Sequence, residues 1–300
     1  MKKILGVYLI TSLLLLSCAV KKKMDKTRAA LDEIEVQKQK EKLELKSITD
    51  TANSKYSLGK IDQNIDSLFK EKLNGYAQNL DSIQTKIASI DTLLSNKKAF
   101  NKNYQSYVLP LLDTLNQLNI AYTKRTKLYA MVENALNIAD FRLFDLAAFF
   151  GPGKYSIPED KLALASESFS PIVDSMMKFS NQYKDIPKTG TLVILGFADG
   201  MGFSTDAGLL DTLNAAIGKT DPSKEELNIK LSEFRAIELV EQLKKIFSDK
   251  ASSFDDFHNL SIKYIPQGKG EAYPLPYIKD YTNDDPRRRI VLCYWIVLPD

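Results

Sequence analysis

Thr191-Leu192-Val193-Ile194-Leu195, followed at once by Gly196-Phe197-Ala198-Asp199-Gly200, decides how the second half of the chain is read. A short apolar run closed by a glycine-bounded turn predicts a strand, and it leaves an aspartate at the strand's end. Downstream, Asn228-Ile229-Lys230-Leu231-Ser232-Glu233-Phe234-Arg235-Ala236 has the pattern of an amphipathic helix and carries an arginine near its start. An aspartate at a strand end and an arginine near a helix start make a two-charge clamp for a zwitterion. Two opposite charges at fixed separation select an amino-acid head group over a simple amine or acid. The expectation is that Asp199 and Arg235 lie within a few ångströms of each other, both open to solvent.

Working outward, Phe141 to Phe150 reads as a strand ended by Gly151-Pro152-Gly153. Pro158 sits where a helix can begin. Leu162, Phe169, Val173, Met176 and Met177 give that helix an apolar face up to Tyr183. A second long helix spans about Lys224 to Phe247, with Leu231, Phe234, Ile237, Val240, Leu243 and Phe247 facing inward. Leu260 to Tyr264 and Ile290 to Leu298 are the remaining strands. The order β-α-β-α-β-β predicts an α+β module over residues 140–300, its mixed sheet covered by helices.

Four segments here carry a resemblance to OmpA-like peptidoglycan-binding domains. Gly196-Phe197-Ala198-Asp199-Gly200 resembles that family's Gly-His-Thr-Asp turn. Asn228-x-x-Leu231-Ser232-x-x-Arg235-Ala236 matches its most recognisable motif at every defined position. Gly268-Lys269-Gly270-Glu271-Ala272-Tyr273-Pro274 matches its Gly-x-Gly-Glu-x-x-Pro turn, and Arg287-Arg288-Arg289-Ile290 stands where the family has Asn-Arg-Arg before the last strand. The resemblance implies non-covalent binding of the diaminopimelate residue of the peptidoglycan stem peptide. Asp199 would hold the ammonium and Arg235 the carboxylate on the same carbon, with Asn228, Phe197, Leu231 and Arg288 as further ligand-binding positions. A guanidinium suits that role because its paired donors match a carboxylate. A helix N-terminus beside Asn228 would add amide donors. Asn228 also reads simply as a helix residue, and Arg288 and Arg289 read either as braces of the sheet or as pocket lining.

The chain departs from the family twice. Phe197 and Ala198 replace His and Thr, which removes a ring donor and a hydroxyl. Met201 to Glu226 is longer than the family's loop; Leu209, Leu210, Leu213, Ala216 and Ile217 predict a short extra helix there. That insertion would shape the pocket rim, cover it, or dock another protein.

Residues 24–139 read as an α-helical, coiled-coil-like stalk. Met24 to Asp50 is charge-rich and lacks Gly and Pro, with Leu31, Ile34, Leu45 and Ile48 as sparse apolar points, so a weakly packed helix is expected. Thr51 to Gly59 reads as a break. Phe69, Leu73, Tyr76, Leu80, Ile83, Ile87, Ile90 and Leu94 alternate steps of four and three, a heptad seam. Asn96 to Asn101 reads as a turn and Pro110 as a first helical turn or a kink. Leu111, Leu115, Leu118 and Tyr122, continued by Leu128, Met131, Ala135 and Ile138, form a third stripe. The pattern fits an intrachain hairpin, a three-helix bundle or a parallel oligomer. Its charged residues are read as solvated outer faces. A helix from Lys60 to Lys97 would be about 57 Å long, so the region has reach.

At the N-terminus, Lys2 and Lys3 precede an apolar run from Ile4 to Leu16, shorter than the roughly 20 residues of a membrane span and typical of a secretory signal. The run ends in Leu15-Leu16-Ser17-Cys18, which resembles the lipobox of bacterial lipoproteins. The resemblance implies a signal peptide at 1–17, lipidation of Cys18, and a tether at 18–23. Ala19 in place of an aspartate implies the outer membrane, and the basic Val20-Lys21-Lys22-Lys23 implies a periplasm-facing anchor.

The 300 residues carry 41 Lys and Arg against 38 Asp and Glu, a net +3 that falls to about +1 once Lys2 and Lys3 are removed. That balance excludes nucleic acid as the main partner, which needs a basic face. With Cys18 acylated, Cys293 has no internal partner and reads as a buried thiol in an apolar strand. His258 is the only histidine, so neither a metal site nor a triad is expected. No serine, cysteine or glutamate has a basic partner at a recognisable spacing, so no enzyme and no cofactor are expected. The expectation is an outer-membrane lipoprotein that links membrane to peptidoglycan. The alternative is an envelope scaffold that uses the same fold and its insertion for protein partners.

Overall fold

A computed structural model describes residues 2–139, 141–145, 154–200, 203, 207–251, 259–275 and 278–300, and the side chains from Cys18 onward. The chain divides into two compact units: residues 1–51 with 69–130, and residues 52–68 with 131–300. Among the described residues no helix is long and apolar enough to cross a membrane.

The first unit is built from α1 (Lys2–Ser57) as far as Thr51, α2 (Gln63–Leu94) from Phe69, α3 (Lys97–Asn103), α4 (Leu109–Ile120) and α5 (Tyr122–Ile138) as far as Ala130; the remaining turns of α1, α2 and α5 belong to the second unit. Its contacts make an intrachain three-helix bundle. At one end Arg28 Nη2 reaches the Leu94 carbonyl at 3.4 Å, and the Lys23 ammonium lies 4.6 Å from the Tyr104 ring centre. Further along, the Tyr76 and Tyr129 rings meet edge to face at 5.1 Å. The chain therefore runs out along α1, back along α2, and out again through α3 to α5. Phe69, Leu73, Leu80, Ile83, Ile87, Ile90 and Leu94 are buried, so the heptad seam of α2 is the bundle core.

Several expectations are corrected here. Leu31, Ile34, Leu45 and Ile48 are buried, so α1 is well packed rather than weakly packed. α1 does not break at Thr51; it runs to Ser57 and stops at Gly59, whose φ of 66° suits a residue without a side chain. The Asn96–Asn101 turn shrinks to two residues, because the Asn96 side chain accepts from the Lys98 and Ala99 amides and caps α3. Tyr104–Val108 is a π-helical turn that leads into α4, where Pro110 sits in the first turn. Ile138 is exposed, while Val132 and Leu136 are buried beside Met131 and Ala135, so the stripe on α5 is rotated by one position.

The charged residues of the bundle are not all solvated. The Glu41 carboxylate is 1% exposed and takes Arg125 Nε and Nη2 at 2.9 and 2.7 Å, and the Tyr129 hydroxyl at 3.0 Å. Burial first, and then the Glu41 charge, push the Tyr129 hydroxyl well above its usual range. A single like-for-like charge removed from such a cluster leaves its partner stranded in an apolar setting.

The second unit carries β1 (Phe141–Asp145), α6 (Leu162–Gln182), β2 (Lys188–Gly196), α7 (Ala207–Ile217), α8 (Lys224–Ala251), β3 (Leu260–Gly268) and β4 (Ile290–Pro299). The sheet order is β1-β4-β2-β3. β2 pairs with β3 in parallel, from Lys188 opposite Leu260 to Gly196 opposite Gly268, and β4 is antiparallel to both of its neighbours. A parallel pair needs a crossover, which α7 and α8 supply. β2 and β4 are the inner strands and are apolar along nearly their whole length, as strands covered on both faces are. Cys293 is fully buried in β4 and burial pushes its thiol up, so it is inert.

The fold is α+β with a mixed sheet, as expected, and the insertion does contain a helix. β1 is described only to Asp145; the expected continuation to Phe150 lies outside the described residues, as do Gly151 to Gly153, Asp255, Asp256 and His258. Ile237 was expected to face inward but is 37% exposed. The buried stripe of α8 instead runs through Asn228, Leu231, Ser232, Arg235, Ala236, Leu239, Leu243 and Ile246, one face of a straight helix laid across the strands.

Candidate ligand-binding site

Four chain segments converge at one end of β2. Gly196 ends the strand, and the next residues are pinned by backbone bonds: the Phe197 amide to the Ile290 carbonyl at 3.0 Å and the Ala198 amide to the Gly270 carbonyl at 2.8 Å. The glycines have a steric cause. A Cβ on Gly196 would lie 2.9 Å from the carbonyl carbon of Ser232, and one on Gly268 would lie 2.8 Å from the Glu233 amide nitrogen. Both glycines let α8 approach the strand ends. Ser232 closes the junction: its hydroxyl accepts the Gly270 amide at 2.9 Å and donates to the Ile229 carbonyl at 2.8 Å.

Arg235 projects from the same face of α8. It is 1% exposed, and its Nη1 donates to the Phe197 carbonyl at 3.2 Å while Nε donates to the Lys154 carbonyl at 3.1 Å. Burial lowers its guanidinium to about 10; the Asp199 carboxylate pulls the other way and Arg289 adds to the lowering. Asp199, Arg235 and Arg289 thus form one electrostatic cluster of one negative and two positive charges. Asp199 is 8% exposed and its carboxylate is held by Arg289 Nε. The expectation that both clamp charges stand open to solvent is therefore corrected. The turn and the helix approach closely enough to couple them, but the same approach buries Arg235, and a second arginine occupies the aspartate.

The other expected positions divide between packing and bracing. Phe197 is buried, and its carbonyl, not its ring, meets Arg235. Leu231 is buried among Leu209, Leu213 and Leu227, so its side chain holds α7 onto α8. Asn228 is buried and donates to Glu271 Oε1 at 2.6 Å; Lys224 Nζ lies 3.3 Å from the same oxygen. It does not stand at the helix start. α8 begins at Lys224, and Ser223 and Glu226 exchange bonds as a capping box: the Glu226 amide to the Ser223 hydroxyl at 3.2 Å and the Ser223 amide to Glu226 at 2.9 Å. The open helix end therefore lies one turn before Asn228, and the extra donors expected beside Asn228 are not offered there. Arg288 is buried under the Tyr273 ring, 5.0 Å from its centre, and donates to the carbonyls of Asn283 at 2.9 Å, Thr282 at 3.3 Å and Glu271. It braces the loop. Cys18 is exposed on α1.

Sequence reasoning left out Arg289 as the partner of Asp199 and Glu271 as the partner of Asn228. Both lie in motifs already singled out, so the signal was present; their pairing depends on which loops meet. Among the described residues no cluster of His, Cys, Asp or Glu fits a metal ion.

No protein-family model and no curated protein matches the chain. Solved structures that overlap part of it include the periplasmic domain of Helicobacter pylori MotB, at 12% identity and a TM-score of 0.30 over 53% of this chain and 76% of that one. Others are a MotB-like protein from Desulfovibrio vulgaris, at 13% and 0.29 over 54% and 76%, and a periplasmic domain of MotB, at 15% and 0.29 over 54% and 64%. Overlaps of this depth establish neither fold nor function, which rest on the residues and the strand pairings described above.

Proposed function

We propose that the chain is a non-catalytic envelope lipoprotein, anchored through Cys18 and facing the periplasm, whose second unit binds the stem peptide of peptidoglycan. The observation that carries the reading is the convergence of the Asp199, Arg235 and Arg289 charges at the end of β2, where Arg235 Nη1 donates to the Phe197 carbonyl at 3.2 Å, two residues before Asp199, and Arg289 Nε holds the Asp199 carboxylate. A free amino acid end brings both charges the cluster can answer. Its ammonium would replace the Arg289 guanidinium on Asp199, and its carboxylate would accept from the released Arg289 and from Arg235. Each such charge-assisted bond is worth about 1.5–3 kcal/mol, and displacement of an existing pair offsets part of that. Single-site affinity is then modest, and confinement by a lipid anchor next to a repetitive wall raises it.

Retention on purified sacculi tests the reading. Asp199→Ala removes the ammonium acceptor, and Arg235→Lys keeps the charge while losing the fork. Each is expected to reduce retention about tenfold, with helix content monitored by circular dichroism to confirm folding. Unchanged retention by both variants refutes the clamp. A second reading, an envelope scaffold for protein partners, is supported by the burial of Arg235 and by the extra helix α7. Loss of in-cell cross-links to the wall with retention of a protein cross-link decides for it.

A further inference from the structure

The first unit has a charge asymmetry that the wall-binding reading does not use. Residues 18–31 of α1 contain Lys21, Lys22, Lys23, Lys26 and Arg28 with Asp25 as the only acid, and residues 94–104 contain Lys97, Lys98 and Lys102 with no acid. The fold brings these two segments together: Arg28 reaches the Leu94 carbonyl at 3.4 Å, and Lys23 lies over Tyr104. Eight cations against one acid therefore collect at one end of the bundle, a local net charge of +7 in a protein whose overall net charge is +3. All but Lys23 are exposed, and the one acid is half-engaged by Arg28 at 3.5 Å. Cys18 stands one turn of helix before the first of them.

We infer that this end of the bundle is a membrane-contact surface for anionic phospholipid headgroups. Lysines near an anionic leaflet each add about a fivefold gain in partitioning, and the attraction fades within a Debye length, so only the end next to the bilayer contributes. The lysines of α3 are distant in sequence from Cys18 and are delivered by the fold, so the surface is a property of the bundle and not of a basic tail. With the lipid inserted, it would hold α1 upright on the leaflet. The inference rests on Cys18 as the attachment point for its membrane; the charge surface itself does not need the lipid.

The test uses the chain from Ala19 onward, which keeps every described buried side chain, the first being Met24. It is mixed with phosphatidylcholine vesicles containing about one third phosphatidylglycerol, and with pure phosphatidylcholine vesicles. Binding to the anionic vesicles alone, weakening as salt rises, is expected. The exposed triple substitution Lys97→Gln, Lys98→Gln, Lys102→Gln should lower it about a hundredfold. Equal binding to neutral vesicles, or no loss in the triple variant, overturns the inference. Acylation of Cys18 is read separately by mass spectrometry of the full chain: an unmodified Cys18 defeats the anchor reading and leaves the vesicle result to stand or fall alone.

Discussion

Gly196→Ala adds one methyl group, touches no charge, and places that methyl between β2 and α8. Its Cβ would lie 2.9 Å from the Ser232 carbonyl carbon and closer still to the oxygen, whereas carbon atoms rest at about 3.5–4.0 Å. The obstacle is backbone on both sides, so no side chain can turn away. α8 has to retreat by about 1 Å, which also takes Arg235 Nη1 from 3.2 Å to beyond hydrogen-bonding range of the Phe197 carbonyl. Overpacking of this kind costs about 1–3 kcal/mol, and a lost charge-assisted bond adds about 1.5–3. A loss of about 3–5 kcal/mol is expected in urea unfolding followed by the fluorescence of Trp295, the only tryptophan, which lies in β4. Sacculus retention should fall about tenfold under conditions where the variant is still folded. A variant as stable as the parent, with full retention, would refute the close-approach argument for both Gly196 and Gly268.

Glu41→Ala leaves Arg125 and Tyr129 without their shared acceptor and should cost about 3–5 kcal/mol in helix unfolding, while replacing Glu41, Arg125 and Tyr129 together by Leu, Leu and Phe should recover most of it. Leu213→Ala opens a cavity between α7 and α8 and should lower stability by about 2–5 kcal/mol, measured by urea titration. Wall retention should be flat from about pH 6 to 8, because Arg235 keeps its charge throughout that range even with burial lowering its guanidinium.

The arrangement of the second unit was legible because its motif residues are spaced for contacts that the fold makes. Gly196 and Gly268 admit α8, Ser232 takes the Gly270 amide, and Asn228 meets Glu271, so each match in the sequence corresponds to a junction. What escaped was the state of the charges. Arg235 reads the same in sequence whether it is open or buried, and only the packing of α8 against the turn decides that. Asp199 likewise gives no sign that it will choose Arg289 over Arg235, a choice made by how the last loop enters β4. In the bundle, periodicity found the seam of α2 from Phe69 to Leu94 but passed over Glu41 and Lys38, because a charged residue at a core position looks like any other charged residue until its partner is known.

The bundle makes an odd number of passes. Counted from Cys18, it runs out along α1, back along α2 and out again through α3 to α5, so its length is fixed by all three passes together. It can be lengthened only by matched seven-residue insertions in all three passes, and an insertion in one pass alone would throw the buried stripes out of register.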